Sequence, residues 1–284
     1  MRKVGLLLTL LLSLALLLLA GCTGKEETKL KVVTSTSLME YIVQQVGGNH
    51  VDVLNMVPPN QHPGNFDAKP SDLEKLANAD LFLLHGWPGE GYADKLIASA
   101  NNPDLVVSKA NVDGNWMIPT VQMAATDKVA SILSDVDPDN ASNYQAAAEK
   151  YEQKIQEKDN DIVAKLTKAN VSQINVMASS RQADFLQWAG FTVIATFGGS
   201  QSLTPQIVKD LVDQGMASNV FLIVNNIQDG QDAGKAVADE LGAENVNISN
   251  FPGGMDNAAT WEKAIDRNVM ILLDAVARIR ANAK

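Results

Sequence analysis

The sequence predicts an α/β fold of two doubly wound lobes with parallel sheets, joined by one long α-helix. Short β-branched or Leu-rich runs alternate with amphipathic stretches in the first half of the chain, and the alternation starts afresh in the second half. Between them, Asn140 to about Lys168 carries no Gly or Pro and repeats apolar residues at helical spacing. After the leader and tether described next, roughly 255 residues remain, enough for two lobes of about 100 to 150 residues each.

The chain opens with Arg2 and Lys3 before an uncharged, Leu-rich run from Val4 to Ala20 that ends Leu19-Ala20-Gly21-Cys22. A basic start, an apolar core and small residues before the cut read as a signal peptide over residues 1–21. The ending resembles a bacterial lipobox, which implies lipidation of Cys22. As the chain's only cysteine, Cys22 leaves no disulfide, thiolate metal site or cysteine nucleophile in the folded part. Residues 22–29, with Gly24 and alternating Lys and Glu, read as a tether.

The first lobe is placed at 30–138. Leu30–Thr34 is a strand, and Ser35-Thr36-Ser37 caps a helix running to about Val46, where Gly47-Gly48 stops it. Val51 to Val57 is the next strand, closed by Pro58-Pro59 and the polar turn Asn60-Gln61-His62-Pro63-Gly64-Asn65. Ser71, with Glu74 three residues on, has the form of a capping box. Leu81 to Leu84 reads as a buried parallel strand delivering His85-Gly86-Trp87 to its carboxyl end, the edge at which open α/β sheets bind ligands. A helix from Glu90, a strand at Leu105–Val107, a loop at 113–120 and a helix from Val121 to Ser134 complete the lobe.

The linking helix is placed at 139–169, with Tyr144, Ala148, Tyr151, Ile155, Ile162 and Leu166 along one stripe. In the second lobe, 170–284, strands are expected at Ile174–Ala178, Thr192–Thr196, Val220–Val224 and Val246–Ile248. Helices are expected at 182–189, 204–214, 230–241 and 259–281.

Neither a nucleotide fingerprint nor a catalytic signature is present, and all three histidines lie in the first half, away from Ser179-Ser180. No enzyme and no catalytic cofactor are expected. The net charge of -10, more acidic once Arg2 and Lys3 are removed, argues against nucleic acid and against docking on anionic lipid. It is compatible with a cationic ligand, but simple solubility accounts for it more readily.

Lys69-Pro70-Ser71-Asp72-Leu73, the strand after Ala79-Asp80 and Glu90-Gly91-Tyr92 with Lys95-Leu96 resemble the zinc- and manganese-type solute-binding lipoproteins of bacterial ABC importers. So do Asp137-Pro138-Asp139-Asn140, Thr204-Pro205 and the Ala233–Gly242 stretch. The resemblance implies a lipid-anchored extracytoplasmic receptor on the periplasmic or cell-surface side. It also implies permease and ATPase partners, and a zinc or manganese ion as transported ligand, held between lobes that rock little about the linking helix.

Such receptors hold their ion with three histidines and a carboxylate, or a close variant. The matching positions here are Gly64, Asn115, Ser179 or Ser180, and about Asn250. Two readings stay open. A rebuilt metal site would draw on His62 and His85, with Asp67 or Asp229 as carboxylate. Alternatively the cleft takes a small polar or anionic organic ligand or a metal chelate. Arg181 would then pair with a carboxylate or phosphate, Trp87 and Trp116 wall the cleft, and Asn115, Asn225, Asn226 and Asn250 supply neutral hydrogen bonds. From a different class comes a surface adhesion or docking lipoprotein with a vestigial cleft. Glu90 and Asp94 read as structural, and His50 as a turn residue.

Overall fold

The computed structural model describes residues 28–282; the leader, Cys22 and most of the tether lie outside the described residues. Two four-stranded sheets are present, each wholly parallel. The first contains β1 (Leu30–Thr34), β2 (Val51–Asn55), β3 (Leu81–Leu84) and β4 (Val106–Lys109), in the order β2-β1-β3-β4. The second contains β5 (Asn175–Ser179), β6 (Thr192–Phe197), β7 (Leu222–Asn226) and β8 (Glu244–Ile248), in the order β6-β5-β7-β8. The two orders are equivalent, and in each the chain reverses direction across the sheet beside the first strand. That switch point opens a crevice beyond the strand carboxyl ends.

The helices are α1 (Ser37–Gly47), α2 (Pro70–Ala77), α3 (Tyr92–Ser99), α4 (Pro119–Val136), α5 (Ala141–Lys168), α6 (Ala183–Trp188), α7 (Pro205–Ala217), α8 (Lys235–Leu241) and α9 (Trp261–Asn282). The 28-residue α5 is the linking helix, its buried residues being the six named from the sequence stripe. At a rise of about 1.5 Å per residue it spans about 42 Å. Asn170, at φ 47°, ends it in the left-handed region that asparagine tolerates.

Both faces of each sheet are covered, as runs such as Leu81-Phe82-Leu83-Leu84 require. Leu81 and Leu83 point into one cluster, and Phe82 and Leu84 into another beneath α2 and α3. The larger cluster is shared. It joins Val32 and Leu83 of the first sheet to Val176 and Val224 of the second through Tyr144, Tyr151 and Ile155 of α5, with Trp116 and Trp261 among its members. One continuous apolar body therefore underlies both lobes.

Several local expectations are corrected. The helix start belongs to Lys69 and Asp72, two residues earlier than Ser71 and Glu74, and Asp72 supplies the only half of a capping box. Pro70 takes the first helical position, and the Asp72 carboxylate accepts from Lys69 N–H at 2.9 Å. Thr36 sits at the N-cap of α1, but its side chain makes no cap bond because it is committed elsewhere. A short 3₁₀ turn at Pro88–Glu90 delays α3 to Tyr92. Beyond β7, turns through Ile227–Asp229 and Gly230 delay α8 to Lys235. The Thr204-Pro205 start of α7 stands as expected, with Thr204 Oγ1 accepting from Ile207 N–H.

A candidate ligand site between the lobes

The carboxyl ends of β3, β5 and β7 converge on a cavity of about 430 Å³ whose wall draws on both lobes. From the first lobe come His62, Trp87, Asn115 and Trp116; from the second, Arg181, Asp184, Asn226, Gln228 and Asn250. This volume falls in the range of small-molecule sites, about 300–1,000 Å³.

Glu90 builds the first-lobe wall. Its carboxylate, 6% exposed, accepts from the backbone N–H of His85 at 3.0 Å, Gly86 at 2.7 Å and Trp87 at 3.2 Å. This ties the loop after β3 into one shape. Gly86 is required there: it stands at φ 89°, and a β-carbon would strike the Asn111 side chain. The loop places the half-buried Trp87 ring on the cavity and stacks it on His85, centroids 3.6 Å apart.

His85 is fully buried and is not among the cavity-lining residues. Its Nε2 lies 2.6 Å from Thr36 Oγ1, which explains the missing cap on α1. Trp116 packs edge-on at 4.1 Å, Nδ1 has no hydrogen-bond partner, and burial holds the ring well below the usual imidazole range. The expectation that His85 joins His62 as a metal ligand is thus corrected. The sequence placed it rightly at a strand end but could not show that the ring turns into the core.

His62 does line the cavity. Its Nδ1 accepts from Gly64 N–H at 2.8 Å, so the neutral ring carries its proton on Nε2. Burial, and then the nearby Arg181 charge, lowers its pKa, while Asp229 pulls the other way. A β-carbon on Gly64 would meet His62 Nδ1 at 2.9 Å. The His62 ring therefore occupies the space a side chain at position 64 would enter.

On the second lobe, Arg181 Nε donates to Asp229 Oδ1 at 3.0 Å, the Arg181 side chain 49% exposed and Asp229 only 11%. Asp229 Oδ2 also accepts from Ser179 Oγ at 3.1 Å and from Asn226 Nδ2 at 3.0 Å. Ser179 is buried and faces this carboxylate rather than the cavity; its neighbour Ser180 lines the wall. Asn225 is likewise corrected. It is fully buried, donating to Asn245 Oδ1 and Val246 O and accepting from Gly234 N–H, and it pins β7 to the start of α8.

Asn115 and Asn250, from opposite lobes, meet: Asn115 Nδ2 donates to Asn250 Oδ1 and to Arg181 O, each at 3.0 Å. Gln228 adds a second bridge, donating to Pro59 O at 2.8 Å while its Oε1 accepts from Asn250 N–H. Asp67 is exposed and outside the wall. Among the described residues, no three His, Cys, Asp or Glu side chains converge as a metal would need. Sequence reasoning overlooked Gln228 and Asp184; the Asn-Asn-Ile-Gln-Asp run at the end of β7 was the available signal for Gln228.

Two lobes opening their strand carboxyl ends onto a shared cavity, tied by one long helix, define a cleft-type solute-binding protein. The family described as ZnuA, Zinc-uptake complex component A periplasmic, matches residues 32–275, and the chain belongs to it. This is a family of solute receptors of ABC importers, not of enzymes. The manganese-binding lipoprotein MntA of Halalkalibacterium halodurans is 24% identical over 269 residues, covering 83% of this chain and 90% of that protein. The manganese ABC transporter substrate-binding lipoprotein PsaA of Streptococcus pneumoniae is 29% identical over 181 residues, 55% of this chain and 58% of that one. Among solved structures, the solute-binding protein FpvC of Pseudomonas aeruginosa, in complex with Mn2+, superposes with a TM-score of 0.77 at 20% identity. The match covers 88% of this chain and 99% of FpvC.

Proposed function

We propose that this chain is the lipid-anchored, extracytoplasmic receptor of an ABC importer, capturing a metal-containing or metal-related cargo in the interlobe cavity and handing it to a permease driven by a separate ATPase. The cavity itself carries this reading: it is walled by both lobes at the switch points of both sheets, where such folds bind ligands. Relatives named for manganese set the cargo class. Residues 1–21 would be removed and Cys22 acylated, with 22–29 as tether. The lobes 30–138 and 170–284 flank the linking segment 139–169. Among the described residues no helix is long and apolar enough to cross a membrane.

Native mass spectrometry of the purified protein tests the cavity. Gly89 lines it and has room for a side chain, its nearest neighbour being His62 Cε1 at 3.5 Å. A co-purified or added ligand is expected to be lost in Gly89→Phe with the fold intact by circular dichroism. Retention of every ligand in that variant refutes the cavity as cargo site. For the anchor, Cys22→Ser is expected to release the protein from the membrane fraction.

A further inference from the structure

The cavity chemistry points to a more definite cargo than a bare ion, on the reading that this cavity is the cargo site. A histidine binds a divalent metal through an unprotonated ring nitrogen. Here Gly64 N–H already occupies Nδ1 of His62, so Nε2 carries the proton and is a donor. To ligate an ion, His62 must surrender that backbone bond. The other residues at family ligand positions offer no replacement: Ser179 is spent on Asp229, Asn115 and Asn250 on each other, and Ser180, on the wall, brings only a neutral hydroxyl. Asp229, only 11% exposed, already accepts from Arg181, Ser179 and Asn226.

The wall does offer a cation from the second lobe and an N–H donor from the first. Arg181 uses Nε on Asp229, which fixes the plane of the guanidinium, and its half-exposed head lines the cavity, as does His62. A planar, anchored guanidinium beside an N–H donor suits a carboxylate. Asp184, the remaining charged residue of the wall, suits a positive centre on the same ligand. The cavity, about 430 Å³, far exceeds a single ion with one water, each water taking about 30 Å³.

We propose that the cargo is a small carboxylate-bearing molecule, carried alone or as its complex with a divalent metal, with Arg181 and the Nε2–H of His62 as its carboxylate clamp. The metal, where present, keeps the chelator as its coordination shell, so the protein needs no three-ligand cluster.

Calorimetric titration of the purified protein with citrate alone, citrate with equimolar Mn2+, and Mn2+ alone tests this. Binding of citrate in one or both forms is expected, and comparison of the two arms separates free acid from chelate. Affinity should fall about tenfold or more in Arg181→Gln and in His62→Phe. His62→Gln, whose amide N–H replaces the Nε2–H donor, should stay within a few-fold of the wild type. Mn2+ binding alone and being lost in His62→Gln would overturn the proposal, as would citrate binding indifferent to Arg181→Gln or absent in both forms. In those cases the Gly89→Phe mass measurement shows separately whether the cavity still carries a cargo of other chemistry.

Discussion

Glu90→Gln tests how the first-lobe wall is held. In the wild type one buried carboxylate serves three backbone donors. Glutamine keeps one oxygen, which can stay on Gly86 and Trp87, but turns its amide N–H2 toward the N–H of His85, so two donors face each other. Orphaning a buried donor costs about 1–3 kcal/mol, and losing the negative charge weakens the two remaining bonds by about 0.5–1 kcal/mol each. Gly86 is exposed, and water recovers part of the second loss. The expected destabilisation is about 2–3 kcal/mol, rising in Glu90→Ala, where no acceptor remains. Urea unfolding followed by circular dichroism measures it, and amide hydrogen exchange should show His85, Gly86 and Trp87 losing protection first. Because the loop also seats Trp87, ligand affinity should fall with it. A Glu90→Gln protein within about 0.5 kcal/mol of the wild type, with those three amides still protected, would refute this account of the wall.

Thr36→Val strips His85 of its hydrogen bond inside a closed aromatic cage and should cost about 1–3 kcal/mol by thermal unfolding, while Thr36→Ser keeps most of the stability. Asn115→Ala removes the amide that joins Asn250 and Arg181 across the cleft. It should cost about 1–2 kcal/mol and raise acrylamide quenching of tryptophan fluorescence, chiefly from Trp87. Glu152 gives a pH signature: burial first, then Asp127 beside it, pushes its carboxyl up to about 7. The folded state therefore holds a proton that the unfolded chain releases near 4.5, so this group's contribution to stability declines as pH rises from about 4.5 through 7. Melting temperatures across that window should fall less in Glu152→Gln than in the wild type.

The architecture was legible because it rests on patterns longer than any one residue. The apolar stripe from Tyr144 to Leu166 has one reading, and Leu81-Phe82-Leu83-Leu84 is buried on both faces whatever its neighbours are. Caps were less legible. Ser71-x-x-Glu74 and Lys69-x-x-Asp72 compete within one turn, and Pro70 decides between them by taking the first helical position. The site was half legible. Strand ends could be located, so His62, Trp87, Asn115, Arg181 and Asn250 fall on the cavity wall. Side-chain direction depends on partners distant in sequence: Thr36 draws His85 inward from 49 positions away, and Gly234 and Asn245 capture Asn225. No local pattern records such pairings.

The shared apolar body beneath both lobes sets the thermodynamics of capture. If the receptor's halves, packed through α5 into one core, move as one body, taking up cargo would surrender little conformational entropy. A few polar contacts would then suffice for useful affinity, with the empty receptor close in shape to the loaded one. Release would then not come from the receptor springing open. It would be imposed from outside, by whatever surface competes for the groups that hold the cargo, and loaded and empty molecules would be told apart by the charge and fine shape of the cleft mouth rather than by overall closure.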